Sequence, residues 1–155
     1  MSKNNDLYLT KDGLEKLQHE YMELTQVKRK EVVKKITAAR ELGDLSENSA
    51  WQQARDEQSF IEGRIEELDD ILKKAKVINS SKQKGIVCLG SKVKVKIDGD
   101  EEEFHIVGAP EADPKEQKIS HESPLGKALL GKKSGDIIEI DAPLGKIKYH
   151  ILKVE

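Results

Sequence analysis

Apolar residues recur along the first half of the chain at helical spacing. Leu14, Leu17, Tyr21 and Leu24 follow one another at steps of three, four and three, which puts them on one face of a helix that turns every ~3.6 residues. After Leu24 the register drifts, and Val32, Val33, Ile36 and Ala39 resume the apolar face. Drift of this kind marks a stutter in a coiled coil. From Trp51 onward the pattern is unbroken. Trp51, Ala54, Gln58, Ile61, Ile65, Leu68, Leu72 and Ala75 alternate steps of three and four, a sustained heptad seam. Residues 7 to 78 are therefore predicted to be helical, apart from one bend. Thr10 suits an N-cap, Asp12 the first turn, and Gly43 the position just past the end of the first helix. Two helices of about 30 residues, each about 45 Å long, joined by a few residues must pack antiparallel. The product is a coiled-coil hairpin over residues 1–78 with its tip at GDLSEN, residues 43–48.

The period then changes. NSSKQKG, residues 79–85, is polar and ends in glycine, as a linker does. KVKVKI, residues 92–97, alternates strictly, with Val93, Val95 and Ile97 on one face. EFHIVG, DIIEI and KIKYHILKV read as further strands, and SPLGKALLG, residues 123–131, as a short helix with Pro124 near its first turn. Residues 86–155 are thus predicted to form a small α+β domain. The fold class is α+β in two domains.

Composition supports a chain rich in surface. Of 155 residues, 36% are hydrophobic and 36% charged, which suits a long helical hairpin beside a small globule better than one large core. A net charge of −2 advertises no bulk attraction to nucleic acid, so any basic patch must be local. The single cysteine, Cys88, lies in the apolar run GIVCLG and is expected to be a buried strand residue. An intramolecular disulfide is excluded. No apolar leader and no membrane-length segment is visible, so the expectation is a cytoplasmic protein with no membrane partner.

No self-contained catalytic site is legible. His19, His105, His121 and His150 are scattered without metal-ligand spacing, and neither a phosphate-binding glycine loop nor a nucleophile motif occurs. The acidic run DGDEEE, residues 98–103, reads as a solvated hairpin turn. The tip carries Asp44 and Glu47 three residues apart. That spacing has two readings. Asp at the N-cap with Glu three residues later is a capping box. Alternatively, two carboxylates at the end of a hairpin can carry a hard divalent cation into a site completed by another molecule. Lys28, Arg29, Lys30, Lys34, Lys35 and Arg40 lead to the tip and Arg55 lies on the return helix. They form either a solvated face or a basic strip that touches nucleic-acid phosphates. Trp51, at a seam position, either packs or presents the edge of its ring.

Three segments carry a resemblance. AARELGDLSENSAWQQARDEQ, residues 38–58, closely resembles the tip signature of the bacterial Gre factors, the transcript cleavage factors of RNA polymerase, and of their GreA type. EGRIEELDDILKKAKVI, residues 62–78, and ISHESPLGKALLGKKSGDIIEI, residues 119–140, continue it. The resemblance implies an N-terminal coiled-coil hairpin and a C-terminal domain similar to FK506-binding proteins. It further implies that the C-terminal domain docks on bacterial RNA polymerase while the hairpin enters the secondary channel, and that the polymerase then cleaves backtracked RNA. On this resemblance the protein is no enzyme by itself. Asp44 would be the ligand of a Mg²⁺ shared with the polymerase active site, with no cofactor bound by the isolated protein. Glu47 would orient or activate a water. Arg40, Arg55 and Trp51 would contact the 3′ end of the nascent RNA, and Glu122, Ser123 and Pro124 would face the polymerase. The usual tip sequence NAEYHAAR is here NSAWQQAR, so an acid becomes Ala50, the aromatic becomes Trp51 and a histidine becomes Gln52.

Other functions compete. A secondary-channel regulator without cleavage stimulation would need the same docking but not the two acids. A prolyl isomerase would need an aromatic-lined groove, and residues 79–155 hold only Phe104 and Tyr149. A self-associating scaffold would need an unsatisfied seam, whereas the hairpin satisfies its own, so a monomer is expected.

Overall fold

A computed structural model describes residues 6–44, 47–78 and 85–155. The chain divides into two compact units. One is Leu14–Lys74; the other gathers the residues on either side of it, up to Gly13 and from Ala75 onward.

The helical unit is an antiparallel hairpin. Its first arm comprises α1 (Lys11–Glu23), a π-helical segment (Leu24–Lys28) and α2 (Arg29–Glu41); its second is α3 (Ser49–Lys74). The seam is buried where the spacing places it. Leu17, Val32, Ile36 and Ala39 from the first arm and Ala54, Ile61, Ile65 and Leu68 from the second are all removed from solvent. Val32, Ile61 and Ile65 form a cluster against which Tyr21 and Leu24 pack. Val33, expected on the same face, is exposed.

The drift after Leu24 has a specific form. Eight residues separate Leu24 from Val32, and at ~100° per residue they overshoot two turns by about 80°. The π-segment absorbs the excess residue. Within it the Arg29 amide donates to the Leu24 carbonyl five residues back, and the Thr25 hydroxyl donates to the Tyr21 carbonyl at 2.8 Å. The apolar stripe therefore stays on one side.

The second unit is a five-stranded sheet in the order β5-β4-β3-β7-β6. Its strands are β3 (Lys92–Ile97), β4 (Asp100–Val107), β5 (Lys118–Ser120), β6 (Ile137–Ala142) and β7 (Gly145–Val154), and α4 (Pro124–Leu129) lies between β5 and β6 in sequence. The pairs β3–β4, β3–β7 and β6–β7 are antiparallel, and β4–β5 is parallel. Val93, Val95, Ile106, Ile138 and Ile151 from the sheet, Leu129 from α4, and Val87 and Leu89 before β3 form the core. The alternation read in KVKVKI is the burial pattern observed, with Val93 and Val95 fully buried. Two-domain α+β architecture is thus what the chain adopts.

Several expectations need correction. Residues 7–78 are not all helix: β1 (Leu7–Leu9) and β2 (Ala75–Val77) form a parallel pair, and both belong with the sheet unit. The division therefore falls at 13/14 and 74/75, not at residue 78. Close approach holds this pair in place. A Cβ on Gly108 would lie 1.9 Å from the Tyr8 carbonyl oxygen, so only glycine lets β1 in. The Glu111 carboxylate accepts from the amides of Thr10 (2.9 Å) and Gly108 (3.1 Å) and from the Thr10 hydroxyl. Thr10 in turn caps α1, accepting from the Gly13 amide at 3.1 Å. The acidic run is only partly a turn. Asp98 and Gly99, both at positive φ, make the two-residue bend, while Asp100–Glu103 continue as exposed residues of β4. Cys88 lies outside any strand and is half-buried. Val87 and Leu89 turn into the core, and the Cys88 amide donates to Ser91 Oγ at 3.0 Å. Of the expected linker, residues 79–84 lie outside the described residues.

Candidate functional site at the hairpin tip

The first arm ends as its sequence suggests. Leu42 is the C-cap of α2, and its amide reaches the Ala39 and Arg40 carbonyls. Gly43 follows at φ 124°, a value that favours glycine. Asp44 and Glu47 are both exposed on the connection between the arms; Leu45 and Ser46 of the tip lie outside the described residues.

The N-cap of α3 is Asn48, not Asp44. Its Oδ1 accepts from the Trp51 amide at 3.0 Å, and its carbonyl accepts from the Gln52 amide at 3.1 Å. Asp44 does not cap α3, which starts at Ser49, four residues too late for Asp44 to hold its first amides. Asn48 does more than cap. Its Nδ2 donates to the Ala39 carbonyl on the other arm at 2.6 Å. Periodicity could not reveal this, because Asp44 and Asn48 are equally good capping residues by type.

The basic strip divides in two. Arg29 makes a two-point contact with Glu62 (2.7 and 2.8 Å), Lys35 pairs with Glu57 (2.9 Å), and Lys28 lies 3.8 Å from Glu31. The hydrogen bond to Arg29, reinforced by its charge, lowers the Glu62 pKa. Lys30, Lys34, Arg40 and Arg55 are exposed and form no ion pair among the described residues. Arg55 stands over the Trp51 ring, 5.8 Å from its centroid, and donates to Gln58 at 3.1 Å. Trp51 is half-buried, and its Nε1 is shielded from solvent without a hydrogen-bond partner among the described residues. Arg40 thus lies in the last turn of α2, Asp44 and Glu47 on the connection, and Trp51 and Arg55 in the first two turns of α3.

Glu122, Ser123 and Pro124 fall in the other unit. Ser123 caps α4, accepting from the Gly126 amide at 3.0 Å and donating to the Ser120 carbonyl at 2.7 Å. Pro124 occupies the first position of α4, and Glu122 is exposed. Phe104 and Tyr149 pack edge to face, centroids 6.5 Å apart, against the sheet core, so this aromatic pair is engaged in packing.

No group of three or more His, Cys, Asp or Glu side chains among the described residues is placed to hold a metal ion. Two exposed carboxylates nevertheless match the part a protein supplies to Mg²⁺, which is bound through one or two carboxylates together with waters and substrate phosphates. No helix among them is long and apolar enough to cross a membrane.

The chain is built of two units, a helical hairpin bearing two acids on its connection and a separate sheet unit. The family models agree along the chain: the N-terminal model of the transcription elongation factors matches residues 7–77, and the GreA/GreB C-terminal model matches residues 82–155. The chain belongs to the GreA/GreB family of transcription elongation factors and is of the GreA type. It is 50% identical to transcription elongation factor GreA of Acetivibrio thermocellus over 99% of both chains, and 49% identical to that of Clostridium acetobutylicum over 100% of both. Among solved structures, GreA factor homolog 1 of Thermus thermophilus is 30% identical, with a TM-score of 0.46 over 97% of this chain and 99% of that one.

Proposed function

We propose that this elongation factor binds bacterial RNA polymerase, inserts its hairpin tip through the secondary channel and stimulates the polymerase's own cleavage of backtracked nascent RNA. The observation that carries the reading is the tip itself. Asp44 and Glu47 are exposed on the connection, and the cap of α3 is Asn48. The sequence likeness to GreA factors over the full chain supports the same reading.

In this mechanism Asp44 would hold a Mg²⁺ shared with the polymerase, and Glu47 would orient a water toward the phosphodiester. When bound, the ion supplies the charge stabilisation of a two-metal hydrolysis. Two carboxylates cannot assemble that site unaided, so the isolated chain is not a nuclease. The exposed Arg40 and Arg55 would attract the phosphates at the RNA 3′ end, and Trp51 beneath Arg55 would offer a ring edge there. Glu122, Ser123 and Pro124 would lie in the surface that meets the polymerase, and the factor would act as a cytoplasmic monomer. Adding the protein to a stalled, backtracked elongation complex tests this: RNA shortened only when both protein and polymerase are present supports it. Cleavage by the protein alone, or none with both, contradicts it.

A further inference from the structure

We propose that Asn48 is the positioning residue for the two tip acids, acting through a bond that ties the hairpin arms together. The inference rests on the reading of Asp44 and Glu47 given above and adds a residue to it. The Asn48 carboxamide uses both of its ends. Oδ1 accepts from the Trp51 amide at 3.0 Å on its own arm, and Nδ2 donates to the Ala39 carbonyl at 2.6 Å on the opposite arm. Only this orientation works, because the reverse would face oxygen to oxygen and nitrogen to N–H.

Ala39 is buried at the last turn of α2, and its carbonyl is one of those a helix end leaves without a main-chain partner four residues on. The Leu42 amide reaches it at 3.2 Å, and Asn48 completes its second lone pair. One side chain thus ties together two points nine positions apart in sequence, and both acids lie between them in sequence. It also fixes the start of α3, on which Trp51 and Arg55 stand one turn apart. Aspartate would cap α3 equally well but has no donor for Ala39, and it would add a third carboxylate beside the two that are to share a cation. A neutral residue that both donates and accepts is what this position requires.

The test separates bridging from capping. Ser and Asp both cap helices, but Asn48→Ser is too short to reach Ala39 and Asn48→Asp cannot donate to it. Full-length N48S and N48D are compared with wild type and with D44N in the backtracked-complex assay across a Mg²⁺ titration. Exchange of the Trp51 amide in the free protein is measured alongside. The proposal expects the Trp51 amide to stay protected in both variants and polymerase binding to be unchanged. Stimulation should fall about tenfold, as when a group that orients a metal ligand is lost, and the Mg²⁺ needed for half-maximal stimulation should rise. Wild-type Mg²⁺ dependence in N48S and N48D, with D44N inactive, would overturn the role of Asn48 and leave the tip reading standing. Loss of stimulation together with loss of Trp51 protection would reduce Asn48 to a cap and overturn it too. Full stimulation by D44N would instead overturn the reading of the tip acids.

Discussion

The carboxylate of Glu111 holds the amide and the hydroxyl of Thr10, 101 residues earlier in the chain. Through Thr10, which caps α1, and through Gly108 it fastens the N-terminal strand to the sheet unit. Replacing Glu111 with Ala leaves three part-buried donors without an acceptor. An unsatisfied buried donor costs about 1–3 kcal/mol, so E111A is expected to lose at least that much in urea denaturation. Amide exchange at Thr10 should speed up before that of the core strands. A midpoint equal to wild type would show that water replaces the carboxylate without cost.

The π-segment predicts an unusual tolerance. Removing Gln26, exposed within Leu24–Lys28, leaves seven residues between Leu24 and Val32, about 20° short of two turns. Both halves of the apolar stripe then stay aligned in a regular helix. The deletion should keep wild-type helix content and a melting temperature within a few degrees. Removing Glu66 from the regular α3 instead rotates one half of its seam by about 100° and should unfold the hairpin. Equal damage from both deletions would contradict the assignment.

His105 gives the sheet unit a pH dependence. Its half-buried ring is held below the ordinary histidine value, chiefly by burial and then by the charge of Lys92. The unfolded chain therefore binds the proton first. The contribution is present above the unfolded value of about 6.5 and is lost as pH falls through the lower folded value. Thermal stability should decline on acidification below about pH 6.5, and less so in H105Q. A histidine resonance titrating above 6.5 for this residue would contradict the sign.

Two exposed cross-arm pairs of the hairpin should matter little. Arg29–Glu62 and Lys35–Glu57 are both substantially exposed, and such pairs contribute about 0–1 kcal/mol. Replacing Glu62 and Glu57 with Gln should shift the melting temperature only slightly while uncovering two more cations near the tip. A large loss of stability would mean that the pairs, and not the apolar seam, hold the arms together.

The helical arms and the alternating strands were legible because their patterns repeat over many residues. Ala54, Ile61, Ile65 and Leu68 are buried where the heptad count puts them, and Val93 and Val95 where the period of two does. The short parallel pair β1–β2 was not legible. Three residues carry no period, and Leu7–Leu9 and Ala75–Val77 read as the ends of their neighbouring helices; what makes them strands is pairing with each other from opposite ends of the hairpin sequence. The drift after Leu24 was visible, but a π-turn and a coiled-coil stutter shift the register alike. At the tip, the acids stood out by spacing and by resemblance. The cap did not, since Asp44 and Asn48 compete for it on equal terms until the start of α3 is known.

That cap gives the central claim a clean measurement. Because Asn48 caps α3, Asp44→Asn with Glu47→Gln removes two charges without removing that cap, and even a charge set in the first turn of a helix contributes only about 0.3–1 kcal/mol. The measurement is RNA cleavage in a backtracked elongation complex saturated with the double variant, with polymerase binding and helix content determined on the same preparation. The account predicts normal binding, normal helix content and a fall in stimulated cleavage of at least the roughly 10–100-fold seen when a metal site loses even an outer partner. Near-wild-type cleavage by the bound, folded double variant would contradict it.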